Sequence, residues 1–349
     1  MQILASVLSA PSHSSSIEEV SHFVRSHYGV SGTFAKLGSE RDENYRITLP
    51  DGAQRLFKLT HVLEDPALVD FQTKALEHLA RVAPELPVPR VIPSLSGDVA
   101  NSALGSDGRS RRARMFTFLA GAPLSGFPRT SAQAGALGVL AAKLDAALAS
   151  FHHPAEGHEF LWDIQHALCT RELLTHTRSA ADRDLCERTL DRFEHGLARE
   201  LGGLRRQVIH NDLNPHNLLV DPANPDEFTG IIDFGDMVLA PMIDEVAVAS
   251  AYLLAASPAA LGTVPEFVAA YHSILPLRPA EIAALPQLIG LRHAIAILIT
   301  NWRAGRYPDN RDYILRNQHH AVAGLQKLSS LSEGAAHEQL RGACAELRP

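Results

Sequence analysis

The segment Val208-Ile209-His210-Asn211-Asp212-Leu213-Asn214-Pro215-His216-Asn217-Leu218-Leu219-Val220 is followed, thirteen residues after Val220, by Asp233-Phe234-Gly235-Asp236. Asp212 offers a proton acceptor, and Asn217 and Asp233 offer hard oxygen donors. That set suits Mg2+-dependent phosphoryl transfer, in which positioning and charge neutralisation outweigh basicity. Apolar runs flank both groups, so they read as loops held by strands, where reacting groups are usually placed. A rival reading joins His210 and His216 with Asp212, Asp233 and Asp236 as a transition-metal hydrolase centre. It explains neither Asp233-Phe234-Gly235 following a strand nor Lys58 in the apolar Leu56-Phe57-Lys58-Leu59.

H-x-D-x-x-x-x-N at His210 to Asn217 and D-F-G at Asp233 to Gly235 resemble the protein-kinase-like phosphotransferases. The sequence looks most like the aminoglycoside phosphotransferase and choline kinase group, and within it the hydroxylysine kinase-like branch. IIDFGDM at Ile231 to Met237, ALEHLA at Ala75, LPVPRV at Leu86 and Trp162-Asp163 carry that likeness, from about Lys36 to Tyr252. The resemblance implies that Asp212 accepts or orients the proton of the attacking hydroxyl, and that Asn217 and Asp233 hold Mg2+ on the phosphates of ATP or GTP. It implies that Lys58 pairs the α- and β-phosphates. The position where many relatives carry a supporting Glu is Gln72, while Glu77 lies on the same predicted helix, roughly 140° around from it. The phosphate-covering loop falls on Gly38 to Asn44, where Gly38 and the Ser39 hydroxyl allow close approach without G-x-G-x-x-G. The base edge is expected at the main chain of Thr117-Phe118-Leu119, His210 beneath the D-F-G turn with Gly235 supplying backbone freedom, and Glu245 as an anchor for the catalytic loop. Protein-directed kinases carry a lysine where Asn214 stands, which favours a small hydroxyl-bearing substrate. Hydroxylysine is the implied favourite, with homoserine, choline-like compounds and aminoglycosides as alternatives and a non-catalytic nucleotide-binding protein as another class.

For the substrate pocket the residues must be read directly. Arg292 lies in an apolar helical stretch and needs a partner or a cavity. It is expected either to pair with an acid such as Glu245 or to meet a substrate carboxylate, with Trp302 closing the pocket and Asp236 facing an ammonium.

The positioning elements follow from periodicity. Ser16-Ile17-Glu18-Glu19 has the form of a capping box opening a short helix before Gly29. Phe34 to Leu37, Tyr45 to Leu49 and Leu56 to Thr60 read as an antiparallel meander, with Pro50-Asp51-Gly52 as a turn. Asp65-Pro66 opens a helix with Leu68, Phe71, Ala75, Leu76 and Leu79 on one face. Asn101 to Ser110 reads as a polar loop and Arg111 to Leu119 as a strand, the arginines of Arg109 to Arg114 forming a solvated edge. Helices are expected over Ala134 to Phe151, Phe160 to Thr175, Ala181 to Leu201, Glu245 to Ala256, Val264 to Ser273, Pro279 to Trp302 and Asp309 to Leu328, with short strands at Leu218 to Val220 and Gly230 to Ile232. This is an α+β chain. The resemblance makes it a two-lobed protein-kinase-like fold: a β-rich lobe over residues 1–116, a hinge at 117–121, and a helical lobe over 122–349, with the nucleotide between the lobes.

Composition narrows the context. The 349 residues carry 32 Lys and Arg against 39 Asp and Glu, a formal charge of −7, which argues against a general nucleic-acid binder. Three widely spaced cysteines, Cys169, Cys186 and Cys344, show no disulfide framework and no C-x-x-C pair. The apolar patch within Met1 to Ala10 has no preceding Lys or Arg, and the uncharged run after Glu245 is too short for a bilayer. A cytoplasmic enzyme without membrane attachment is expected.

Overall fold

The computed structural model describes residues 15–39, 42–104, 108–255 and 260–346. The N-terminal patch, Glu40, Arg41 and the break after Ala255 lie outside the described residues. Two compact units are present: one holds the described residues up to Ala120 with His153–Glu156, the other Gly121–His152 and the described residues from Gly157.

In the first unit α1 (Ile17–Tyr28) starts with the expected reciprocal Ser16–Glu19 capping box. Strands β1 (Thr33–Leu37), β2 (Glu43–Thr48) and β3 (Gln54–Leu59) form the antiparallel meander. Gly52 turns the chain between β2 and β3 at φ 85°, a conformation that favours glycine. Next come α2 (Pro66–Val82), capped by Asp65, then β4 (Val91–Ile92), β5 (Asn101–Leu104) and β6 (Ser110–Thr117). The sheet runs β1-β2-β3-β6-β4, and β5 also pairs with β6. Tyr45, Ile47, Phe57 and Met115 on one sheet face pack with Val20 and Val24 of α1.

The arginine cluster is a solvated edge only in part: Arg109 is exposed and Arg112 half-buried, but Arg111 and Arg114 are buried. Because β6 is paired on both sides, Arg111 and Arg114 are 6% and 2% exposed. Arg111 meets Glu43 at 2.6 Å. Arg114 donates to Val69 O, Thr73 Oγ1 and Gln72 Oε1, tying α2 to the sheet. Part of the expected polar loop after Asn101 is likewise a strand.

The second unit holds β7 (Ala122–Pro123), α3 (Ser131–Leu148), a 3-10 segment (Ile164–His176), α4 (Ala180–His195), β8 (Arg206–Ile209), β9 (Leu218–Asp221), β10 (Asn224–Ile231) and β11 (Val238–Pro241). Helices α5 (Ile243–Ala255), α6 (Val264–Ile274), α7 (Pro279–Arg306), α8 (Arg311–Leu315), α9 (Gln318–Ser330) and α10 (Glu333–Glu346) follow. The stretch expected as a helix from Phe160 starts only at Ile164 and winds as 3-10, with a kink at His166 (φ −100°, ψ 17°). Its buried Ile164, Ala167, Thr170 and Leu173 repeat every three residues, the period of that helix. The single helix expected over Asp309 to Leu328 is divided into a 3-10 turn, α8 and α9. Antiparallel β8–β11 and β9–β10 hold the two chemistry-bearing loops between them. Helix α7 is long and apolar enough to cross a membrane, but Leu285, Leu288, Leu291, Ile295 and Leu298 are fully buried, as in the core helix of a globular unit.

Candidate functional site

In the first unit, antiparallel register sets Lys58 opposite Asn44 on β2 and opposite Arg114 on β6. The lysine Nζ meets the Asp42 carboxylate at 2.8 Å. Burial pushes the Asp42 carboxyl up, but the charge and hydrogen bond of Lys58, aided by the His61 N–H, outweigh it and hold the group below its ordinary range. The acid that meets Lys58 was therefore not among the expected candidates. Glu77 pairs instead with Lys74 at 2.8 Å, and Gln72 accepts from Arg114. Asp42 stands just before β2, and its clue was strand adjacency rather than helical spacing.

Ser39 is exposed just after β1. A side chain added at Gly38 would meet nothing within 4 Å. Thr117 closes β6; its N–H donates to Arg90 O and its hydroxyl accepts from Arg90 N–H, both at 2.9 Å, so of the three expected base-edge residues Thr117 has its N–H already engaged. Phe118 and Leu119 continue the chain beyond the strand.

In the second unit β8 delivers the chain into the loop carrying Asp212. Asn211 adopts φ 63°, an unusual conformation for a residue with a side chain, and its N–H donates to Glu245 Oε2 at 2.8 Å. Glu245, near the start of α5, thus anchors the loop as expected; burial pushes its carboxyl up to about 7. The fully buried His210 donates from Nε2 to Ile232 O at 3.2 Å and accepts at Nδ1 from the Asp212 N–H at 3.3 Å. Burial lowers its pKa to about 4, which keeps the ring neutral, and the ring packs edge-on against Phe234 at 4.7 Å. With both ring nitrogens engaged, His210 is a poor metal ligand. Among the described residues no group of three His, Cys, Asp or Glu side chains could hold a metal ion, so the hydrolase reading loses its centre.

The Asp212 carboxylate is 18% exposed and held at both oxygens. Oδ2 accepts from Asn214 Nδ2 at 2.8 Å and Asn217 Nδ2 at 2.7 Å, and Oδ1 accepts from Arg292 Nη2 at 3.2 Å. Burial and the Asp236 charge push this carboxyl up to about 8 against the opposing pull of Arg292. Asn217 also donates to Asp212 O at 3.1 Å, so its amide nitrogen faces Asp212 and its oxygen is the atom left for a cation. Asp233 is exposed and adopts φ 63°; the left-handed residue of the D-F-G turn is this aspartate rather than Gly235. A Cβ at Gly235 would lie 3.1 Å from Asp233 Oδ1, so glycine supplies room for the carboxylate. One carboxylate and one amide oxygen form a hard donor set suited to Mg2+ or Ca2+.

Asp236 is half-buried and close enough to Asp212 for its charge to be felt there. Trp302 lies ten residues beyond Arg292 on α7, about 15 Å along the axis. Its ring takes the Arg306 guanidinium at 6.0 Å. Trp162 was expected only as part of the family likeness. Its carbonyl accepts from Arg292 Nη1 at 3.0 Å, and its ring lies 5.3 Å from the guanidinium.

Residues 33–282 match the phosphotransferase enzyme family. The chain is 26% identical over 341 residues to hydroxylysine kinase of Mus musculus, covering 92% of this chain and 91% of that protein, and 24% identical over 327 residues to hydroxylysine kinase of Danio rerio, covering 90% and 92%. Among solved structures, the microcompartment-associated aminopropanol kinase superposes with a TM-score of 0.70 at 22% identity, covering 93% of this chain and 98% of that one. Amicoumacin kinase, solved in complex with AMP-PNP, Ca2+ and Ami, superposes with a TM-score of 0.65 at 15% identity, covering 87% and 93%. With its protein-kinase-like fold and these matched residues, the chain belongs to the phosphotransferase enzyme family and is a small-molecule kinase.

Proposed function

We propose that this enzyme transfers the γ-phosphoryl group of ATP or GTP to a hydroxyl of a small amino alcohol or hydroxy-amino acid, hydroxylysine foremost. The observation that carries the reading is the Asp212 carboxylate, partly exposed and held at both oxygens, with Asn217 on the same loop and Asp233 on the D-F-G turn as further oxygen donors. Likeness to hydroxylysine kinases along 92% of the chain supports the acceptor class. Asp212 takes or orients the acceptor proton. Asn217 and Asp233 hold Mg2+, which neutralises phosphate charge when bound. Lys58 meets the α- and β-phosphates, Ser39 lies on the phosphate-covering loop, and the main chain of Phe118 and Leu119, with Thr117 before it, takes the base edge. Asp236 meets the substrate ammonium, and Trp302 borders the outer end of the pocket. The charge of −7 and three free cysteines support a cytoplasmic enzyme acting without nucleic acid or membrane.

The test is a coupled assay of nucleoside-diphosphate release with ATP and with GTP, over hydroxylysine, homoserine, choline-like amino alcohols, aminopropanol and aminoglycosides. Hydroxylysine is expected to give the largest acceptor-dependent rate, lost on removing Mg2+. Release confined to another acceptor would reassign the substrate. Nucleotide binding without acceptor-dependent release would leave a non-catalytic binding protein.

A further inference from the structure

Arg292 is 3% exposed, and a guanidinium that deep in an apolar helix must be fully partnered. Its two terminal nitrogens donate to Asp212 Oδ1 and the Trp162 carbonyl, the Tyr252 hydroxyl lies close enough to interact with it, and the Trp162 ring covers it. It is the one cation in hydrogen-bond contact with Asp212 among the described residues. A carboxylate bonded through Oδ2 alone can rotate about χ2, a broad torsion. With Asn214 and Asn217 on Oδ2 and Arg292 on Oδ1, the carboxylate plane is fixed. The same guanidinium offsets the charge that Asp236 brings to the site.

We infer that Arg292 is a positioning residue for Asp212 rather than the receptor of a substrate carboxylate. It clamps the proton acceptor in one plane from α7, beyond the residues 33–282 that match the family. Trp162 and Tyr252 in turn fix the clamp. The inference rests on the kinase reading above and adds a residue to its machinery.

The test is a double-mutant cycle of Arg292→Met and Asp212→Asn, read as kcat and KM on a carboxylate-bearing acceptor and on its decarboxylated amino alcohol. Arg292→Met is expected to lower kcat about 100-fold on both acceptors, with KM and nucleotide affinity changed less than about threefold. Arg292→Lys, which keeps a cation without the fork, should recover part of kcat. In the Asp212→Asn background Arg292→Met should lower kcat less than about threefold further, because its target is already gone. A KM rise confined to the carboxylate-bearing acceptor, or an undiminished 100-fold loss in the Asp212→Asn background, would overturn the inference. Should Arg292→Met not fold, the cycle is run with Arg292→Lys and read the same way. A wild type that turns over no acceptor overturns the kinase reading and this inference together, whereas an active wild type with additive losses overturns the inference alone.

Discussion

Lys58 and Asp42 in the first unit meet at 2.8 Å with 17% and 14% of their side chains exposed, whereas Arg292 and Asp212 in the second meet at 3.2 Å with 4% and 18% exposed. The first pair joins β3 to the residue just before its neighbour β2, and its lysine is a point charge on a flexible stem, able to turn from one anion to another. The second joins a loop to a helix 80 residues away, with a planar fork on one carboxylate oxygen and two amides on the other. One pair is suited to exchanging its acid for a phosphate, the other to keeping its acid still. Under the proposed function, nucleotide binding falls to the first unit's pair and the proton step to the second's.

The largest expected effect would break that division if it failed. Asp212→Asn should lower kcat by about 1000-fold while nucleotide affinity, followed by calorimetry, stays within threefold. Lys58→Met should do the reverse, raising the nucleotide KM by about 10- to 100-fold, the worth of a charge-assisted hydrogen bond, with a smaller change in kcat. Matching kcat losses without a change in nucleotide KM would show that the two pairs do not divide the work.

A smaller effect sharpens the account of the first pair. Asp42→Asn keeps the shape and the acceptor for the His61 N–H but removes the charge that steers Lys58. The nucleotide KM should rise by about three- to tenfold, less than for Lys58→Met. Tighter nucleotide binding in this variant would mean that Asp42 competes with phosphate instead of supporting the lysine.

The smallest effect concerns stability in the second unit. Burial, and then the charge of Arg292, lower the His293 pKa to about 3. The unfolded chain takes up a proton on this residue near pH 6.5 while the folded chain does not, so its contribution falls as pH drops through 6.5 and goes on falling towards 3. Between pH 7 and 5 this one group removes about 2 kcal/mol. The raised pKa values of Asp212 and Glu245 act in the opposite direction, stabilising the fold as pH falls, so wild type shows a sum. His293→Leu isolates the histidine: denaturant unfolding should show the variant losing about 2 kcal/mol less than wild type, or gaining that much more, between pH 7 and 5. Parallel pH curves for the two proteins would place a charged or exposed imidazole at this position.

The catalytic loop and the D-F-G turn are legible in sequence because their chemistry lies in short, ordered motifs. Strand pairing and helix caps near the N-terminus are legible because Gly52, Ser16 and Asp65 act on their immediate neighbours. The exception is instructive: the burial of Arg111 and Arg114 depends on β5 and β3 flanking β6, and an arginine-rich strand looks the same at an edge or in the middle of a sheet. The partners of the two cations were hidden for the same reason. Arg292 stood out as a charge in an apolar helix, yet which acid it would meet, Glu245 or Asp212, turned on how α7 lies against loops far away in the chain. The identity of the residues by itself determined the chemistry on offer and most of the local elements. Only tertiary structure decided which charges neutralise one another, because burial makes pairing obligatory while packing between distant segments selects the partner.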